Sequence, residues 1–547
     1  QPLLAKLTGE AVAKAKFFEL LDLSKLAWAY ATLALRDQRL FRVIGQEALL
    51  RRKDFSPKRG LSNLAWSFAK LRLESWDLFQ AIAEEAIATL PEFQAKELSS
   101  LAWTFGALEI IDLKLFHALA DAAICKVKTC KPQELSNIVW AYATLGIDDL
   151  PLFRAVATLG LERLADFKPQ EISNLAWAFA KLGKDSVELF NGLQREFMAK
   201  VQAFKPQELS SFAWALGTLD VHNAELLRLL ARAALARLTE FTPQGLSNLV
   251  WAYAALGTHD VKLFQGVAHL AAMHANTFKA QDLSNHVWAF ATLNFYDRTM
   301  FLEFAKEASA KLSTFHPQHL SNFAWSFATL GIDDLALMHA LAKEAARQLK
   351  NFTPQGLCNL VWAFATLGID NTDIFETIAI NATTEMKSFN SQDISNLMWS
   401  FATLGIDDQD LLASAVRAAS AKLRDFTPLG LSNVAWSCAA LARHDASLLR
   451  AVAAEAIARL SDFSPQGLSN LLWACAVLNH VDLELFEKSE QELVCTLAPL
   501  DPQDLTETSL TDIVQTIMCV TWSFNSVDYG GESFASLARQ LLARIGR

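Results

Sequence analysis

The 547 residues carry 49 basic and 59 acidic side chains, a net charge of −10, with 52% hydrophobic residues, 15 Trp and 36 Phe. Aromatic wealth with only 20% charged residues excludes a disordered chain, and 21 Gly with 7 Cys exclude collagen-like and disulfide-scaffold classes. The acidic balance argues against a globally basic nucleic-acid coat while leaving room for a local basic track, and no uninterrupted apolar run of about 18 residues marks a membrane span.

Along the chain, tryptophan sets the organisation. Trp28, Trp66, Trp103, Trp140, Trp177, Trp214, Trp251, Trp288, Trp325, Trp362, Trp399, Trp436 and Trp473 follow one another at 37 residues after a first interval of 38. A fixed period in this range means stacked supersecondary units rather than separate globular domains. Only Trp76 and Trp522 fall off the series. Trp76 and a one-residue insertion around Lys58, Arg59 and Gly60 perturb the second unit. Trp522, Ser523 and Phe524 read as a decayed copy, which suits a terminal cap.

Phe167 to Gly183 shows the unit. Pro169 suits the first turn of a helix, where its missing N–H costs nothing. Gly183 suits the left-handed position just past a helix end, a signal repeated at Gly146, Gly257, Gly331, Gly368 and Gly405. Helix A therefore covers about 14 residues. Acidic pairs such as Asp148-Asp149 and Asp333-Asp334 then mark the start of helix B. Its apolar residues, Leu152, Phe153, Val156, Ala157, Leu161 and Leu164, form a one-sided stripe. The expected fold is all-α: a right-handed-type α-solenoid of about thirteen 37-residue helix–turn–helix repeats over residues 1–500, closed by a degenerate repeat or cap over 501–547. One pair cannot bury its own apolar face; stacking supplies the core and a concave surface lined by one helix of each pair.

With Trp at 0° on helix A, the Gln seven before falls near about 20°, the Asn three before near about 60°, the Thr four after near about 40° and the Ser four before near about 320°. The Trp thus sits in the middle of a polar face, the apolar back lying opposite. Two readings follow. The indoles, the Gln stripe (Gln133, Gln170, Gln207, Gln244, Gln281, Gln318, Gln355, Gln392) and the Asn stripe (Asn63, Asn137, Asn174, Asn248, Asn285, Asn322, Asn359, Asn396, Asn433, Asn470) offer stacking and hydrogen bonds to single-stranded bases. Alternatively, each indole lies sideways over the adjacent helix A, and the Asn amides form a ladder between repeats. The uniformity of the Asn stripe favours the ladder, because a base code must vary.

Position Trp−6 does vary, and with a partner three residues earlier. Gly at Trp−6 follows Thr242, Thr353, Thr427 or Ser464, and Ser56 once the insertion is skipped; Glu follows Lys131, Lys168, Lys205 or Gln94. Both pairings cap a helix start, the first with a hydroxyl and the second with a carboxylate. Cations including Arg51, Arg52, Lys53, Lys126, Lys131, Lys168, Lys200, Lys205, Arg237, Lys311, Lys422 and Arg459 gather at the edge where helices A begin. They suit either phosphates or the C-terminal ends of helices B. No catalytic motif, metal spacing or cofactor fingerprint appears. The seven Cys read as reduced, mostly buried thiols.

The block Pro132-Gln133-Glu134-Leu135-Ser136-Asn137 with Trp140, and its copy Pro243-Gln244-Gly245-Leu246-Ser247-Asn248 with Trp251, resembles the octotricopeptide repeats of algal organelle proteins and the heptatricopeptide repeats of alveolates. The resemblance implies a non-enzymatic protein of an organellar matrix or stroma, mitochondrial or chloroplast, that binds single-stranded RNA along its concave groove for processing, stability, editing or ribosome assembly. Gln133 to Gln392, Asn137 to Asn470 and Lys131, Lys168 and Lys205 are the candidate contacts. Many members carry a C-terminal RAP domain, and none is evident after residue 500. A scaffold subunit that binds polypeptide in a large organellar complex is the alternative. No targeting segment is visible in a chain that begins at Gln1.

Overall fold

The computed structural model describes residues 2–51, 58–184, 186–501 and 505–545. Among them the chain forms twenty-nine α-helices, joined by short turns and three-residue 3-10 segments, with no strand. Helix Pro2–Lys14 comes first. Helix pairs follow, from Leu20–Thr32 with Gln38–Leu50 to Pro465–Val477 with Leu483–Leu497, and a further pair, Glu507–Ser526 with Glu532–Ile545, contains Trp522. The fold is an all-α helical-repeat solenoid. By contact density the chain divides into two units, Gln1–Ala271 and Ala272–Arg547. The boundary falls inside helix Val261–Met273, and the unbroken sequence period gives no sign of it. Within each unit helices A pack on helices A and helices B on helices B, the A layer being much the closer.

Each repeat is built from local chemistry. Helix A starts where a side chain satisfies an orphan N–H. Glu134 Oε2 accepts from Lys131 N at 2.8 Å, and Glu171 and Glu208 do the same at Lys168 and Lys205, at 2.8 and 2.7 Å. In some of the other repeats a hydroxyl does it: Thr242 accepts from Gly245 N at 3.1 Å, Thr353 from Gly356 at 3.2 Å and Ser464 from Gly467 at 3.1 Å. The variation at Trp−6 is therefore helix capping. Ser56, Arg52 and Lys53 lie outside the described residues.

Six residues after each Trp the backbone turns left-handed. Gly146 (φ +67°), Gly183 (φ +60°) and Gly405 (φ +69°) adopt this conformation without strain, while Glu109 (φ +57°), Asp220 (φ +54°) and Ala442 (φ +53°) adopt it with a Cβ. Asp528 (φ +52°), six after Trp522, continues the pattern into the last pair. Helix B is then capped by the second residue of the acidic turn: Asp149 Oδ1 accepts from Leu152 N at 2.9 Å, and Asp334 Oδ1 from Leu337 N at 3.0 Å.

One element has no counterpart in the sequence reading. After helix B the chain makes a 3-10 turn, such as Leu164–Asp166 or Val201–Ala203, and ends on a buried phenylalanine, Phe167 or Phe204. The cation closing helix B holds this turn. Lys200 Nζ donates to the carbonyls of Ala165 (2.8 Å) and Phe167 (2.9 Å), Lys311 Nζ to those of Asn276 (2.8 Å) and Phe278 (3.0 Å), and Arg237 Nη1 to that of Phe204 (2.9 Å). Lys126 reaches Phe93 and Lys422 reaches Phe389 in the same way. Gln348 makes the bond to Phe315 at 2.8 Å without a charge. These links join the end of a repeat to its own beginning, 33 residues earlier.

The core lies between the layers. Tyr142 and Tyr253, two after Trp, are fully buried and donate to carbonyls of the preceding helix B, at Phe116 (2.5 Å) and Leu227 (2.6 Å). His286 occupies a core position that is Phe212 or Phe323 elsewhere. Burial holds its imidazole neutral, with its pKa lowered from 6.5 to about 3.

Two outcomes follow from these features. Replacing Ala442 by glycine removes a left-handed Cβ, which costs up to about 1 kcal/mol; the thermal midpoint of the variant rises. Because the folded-state pKa of His286 lies below its ordinary value of 6.5, its contribution is full above that pH and is lost as pH falls toward about 3. A His286→Phe variant therefore loses less stability between neutral and acid pH than the parent, read by thermal melts across that range.

Candidate nucleic-acid interface

The open face of the A layer is chemically regular. In the first unit Gln133, Gln170, Gln207 and Gln244 are exposed, and in the second so are Gln281, Gln318, Gln355 and Gln392. Beside them Asn137, Asn174 and Asn248 in the first unit, and Asn285, Asn322, Asn359, Asn396, Asn433 and Asn470 in the second, are half-buried, as are the repeat tryptophans from Trp66 to Trp473. The i, i+4 and i+7 spacing of Gln, Asn and Trp on one helix places all three on the same side.

The expected Asn ladder does not form. Among the described residues no hydrogen bond joins these amides to one another or to the backbone of a neighbouring repeat, and the Gln amides have no protein partner either. The serine four before Trp, which the helical wheel placed near the polar face, is buried between adjacent helices A; Ser136, Ser210, Ser321 and Ser395 donate to the carbonyl three residues earlier in their own helices, while others link repeats. Ser173 Oγ donates to the carbonyl of Glu208 at 2.9 Å, and Ser432 to that of Gly467 at 2.8 Å. Cys358 stands at the same position and points its thiol at the Asp393 carbonyl, 3.2 Å away. Burial raises that thiol well above its ordinary pKa, so it stays protonated and packs as a small donor. The Asn one position on is left with its amide unpaired. Some of the threonines four after Trp are spent locally: Thr144 and Thr218 donate to the carbonyls of Trp140 and Trp214, each at 2.8 Å.

Part of the indole row stacks ring on ring. Trp103 and Trp140 are stacked with centroids 6.5 Å apart, and Trp214 and Trp251 at 6.2 Å; Trp177 with Trp214 and Trp436 with Trp473 are more tilted at 6.2 and 6.5 Å. These rings lean on one another and stay half-buried. The ring of Trp251 comes so close to the preceding helix that a Cβ on Gly217 would sit 3.2 Å from its Cζ3 and 2.9 Å from the Ala252 Cα.

The basic edge divides into two populations. Lys126, Lys200, Arg237, Lys311 and Lys422 are occupied with carbonyls, as described above. Lys131, Lys168 and Lys205 are exposed, stand at the N-terminal ends of three successive helices A, and have no ion-pair partner among the described residues. In the first unit Lys205, Gln207, Gln244, Asn174, Asn248 and Trp177 share the lining of one pocket of about 570 Å³. Sequence reasoning grouped these residues by type; their convergence on one pocket came from the fold. Among the described residues no group of three or more His, Cys, Asp or Glu is placed to hold a metal ion, and no helix is long and apolar enough to cross a membrane.

Fold and face together define a tandem helical-repeat protein with an uncommitted polar face. The model of the RNA-editing substrate-binding complex 6 protein family matches residues 3–298 and 272–507, and the chain belongs to that family. Among solved structures, the pentatricopeptide repeat protein PPR10 from maize aligns at 10% identity and a TM-score of 0.25, over 98% of this chain and 97% of that one. A homology model of the full-length AP-3 complex in an intermediate open conformation aligns at 14% identity and a TM-score of 0.26, over 99% and 90%. A search of curated proteins found no match.

The closeness of helices A can be tested with two glycines. At Gly9, with nothing within 4 Å, alanine should gain about 1 kcal/mol from helix propensity. At Gly217 the same change meets backbone and costs about 1–3 kcal/mol in overpacking. Thermal melts should move in opposite directions, upward for Gly9→Ala and downward for Gly217→Ala.

Proposed function

We propose that the chain is a non-enzymatic RNA-binding subunit of an RNA-editing complex, working in an organellar matrix, and that it holds single-stranded RNA along the open face of helices A. The observation behind this reading is the row of Gln and Asn amides without protein partners, placed beside half-buried indoles. An amide offers both donor and acceptor to a base edge, and an indole offers a face or edge for stacking, worth about 1–3 kcal/mol per base. Lys131, Lys168 and Lys205 add cations at helix N-termini, where backbone N–H groups and the helix dipole already favour phosphate. Membership of a family named for a complex that binds the substrates of RNA editing supports the same partner. The octotricopeptide-like repeat block supports the organellar setting.

Near-identical repeats favour a face that accepts many sequences over one that reads each base, because a code needs variable positions. A second reading, a scaffold that binds polypeptide, draws on the net charge of −10 and on the carbonyl-bound cations, which leave few charges for phosphate. It predicts fixed protein partners that persist after nuclease treatment.

Binding to a mixed-sequence single-stranded RNA, followed by fluorescence anisotropy across a salt series, separates the two. If phosphates contact the three lysines, log K falls with log salt by about 0.7 per contact. Replacing Lys131, Lys168 and Lys205 together by glutamine should flatten the slope by about 2. Absence of binding at low salt would remove the RNA reading.

A further inference from the structure

The repeats are near copies, so their departures from the common pattern are informative. Three before Trp, ten repeats have asparagine and two have serine, Ser100 and Ser211. In those same two repeats the residue three after Trp is glycine, Gly106 and Gly217, where the eleven others have alanine. The two changes act together on geometry. A bare glycine lets the next indole settle against the helix, with Cζ3 of Trp140 3.4 Å from the Cβ site of Gly106 and Cζ3 of Trp251 3.2 Å from that of Gly217. The tryptophan ring planes at these steps are 26° and 27° apart, against 38° for Trp177 with Trp214 and 31° for Trp436 with Trp473. The serine meanwhile removes an amide from the open face.

At Ser211 the result is the pocket of about 570 Å³ in the first unit, with Asn174 on one side and Asn248 on the other. Lys205, Gln207 and Gln244 line it as well, and Trp177 supplies an aromatic wall. Its one acidic lining residue besides these, Glu240, is neutralised by Arg237 Nη2 at 2.6 Å, so it does not oppose an anion. The Ser100 repeat has Gln94 where Lys205 stands and Lys96 where Gln207 stands, so the serine–glycine signature meets a cation just before the helix A start only at Ser211.

We propose that the Ser211 pocket seats one unpaired nucleotide of a single-stranded RNA and so fixes the register of the strand on the first unit. The inference rests on the RNA reading above and goes further by assigning a subsite. The base lies against the Trp177 indole, with the Asn174 and Asn248 amides facing its hydrogen-bonding edge. The phosphate lies at Lys205 and the N-terminal end of helix Pro206–Thr218. Repeats with asparagine at this position have the amide where the base would enter, so they support the strand without seating a base.

The test uses the substitution that the protein itself makes in ten repeats. Ser211→Asn fills the pocket with a residue that the repeat tolerates, and Ser211→Ala keeps the pocket open while removing the hydroxyl. With the full chain and a mixed-sequence single-stranded RNA at fixed low salt, Ser211→Asn should weaken binding about ten-fold, near the value of one stacked base. Ser211→Ala should stay within about two-fold of the parent, and both variants should melt with the parent. Equal affinity of parent and Ser211→Asn overturns the subsite while leaving RNA binding intact. Equal losses in both variants also overturn it, because pocket volume would then not be the cause. A parent that binds no RNA removes the broader reading instead.

Discussion

The structure depends on how closely one helix A can approach the next. Alanines and glycines around the tryptophan bring the backbones so close that in some repeats a buried serine hydroxyl reaches a carbonyl in the first turn of the following helix, while in others, such as Ser136 and Ser210, it bonds within its own helix. Ser173 with Glu208 and Ser432 with Gly467 show the bond between helices at 2.9 and 2.8 Å. A buried hydroxyl without a partner would cost about 1–3 kcal/mol, so the serines that reach across fix register as well as distance. Where cysteine replaces it, at Cys358, the thiol keeps the same direction. Large side chains at these positions would push the helices apart and open the layer.

Close approach on one side decides which polar groups are left for other work. The buried serine hydroxyls four before Trp named above, the Asp149 and Asp334 carboxylates, and most of the cations that close helix B are satisfied within or between repeats. The amides of the Asn and Gln stripes are not. They stand on the side where the A layer meets solvent, not hydrogen-bonded to one another and next to indoles that are half covered. The repeated pair of amides is thus left free of protein partners, and Lys205 lies beside it in one pocket.

Much of the architecture was legible in the sequence. The tryptophan period gave the repeat, Pro169 and its equivalents gave the helix starts, and the glycine six after Trp gave the left-handed ends, because each of these residues has a local backbone requirement. The pairing of Gly with Thr or Ser, and of Glu with Lys, correctly indicated capping. What the sequence did not disclose depends on contacts between residues about 33 to 36 apart. The cation that returns to the start of its own repeat and the serine that reaches the next helix have the same residue types as ordinary surface groups, and only packing distinguishes them. The wheel placed serine near the polar face because it treats one helix alone, whereas a neighbouring helix covers that flank. The uniform Asn stripe suggested a ladder for a similar reason: uniformity shows that a position is constrained, and it does not show by what.

The charge of the chain fits a polar ligand better than its sum suggests. Carboxylates concentrate at the turns between helix A and helix B, where Asp149 and Asp334 are caps and where Asp148 with Lys184 and Asp407 with Arg443 form ion pairs between successive repeats at 2.5 and 2.6 Å. Exposed pairs of this kind contribute little to stability, but they neutralise acidic groups where they stand. The unpaired lysines lie at the opposite end of helices A, together with the positive ends of the helix dipoles. A polyanion approaching the open face in repeats containing Lys131, Lys168 and Lys205 therefore meets the favourable end of each helix first. A net charge of −10 limits long-range attraction, which salt would screen beyond about 8 Å in any case. At contact the field is set by the nearest groups, and there the amides, the indole edges and three free cations outweigh carboxylates that are already bound.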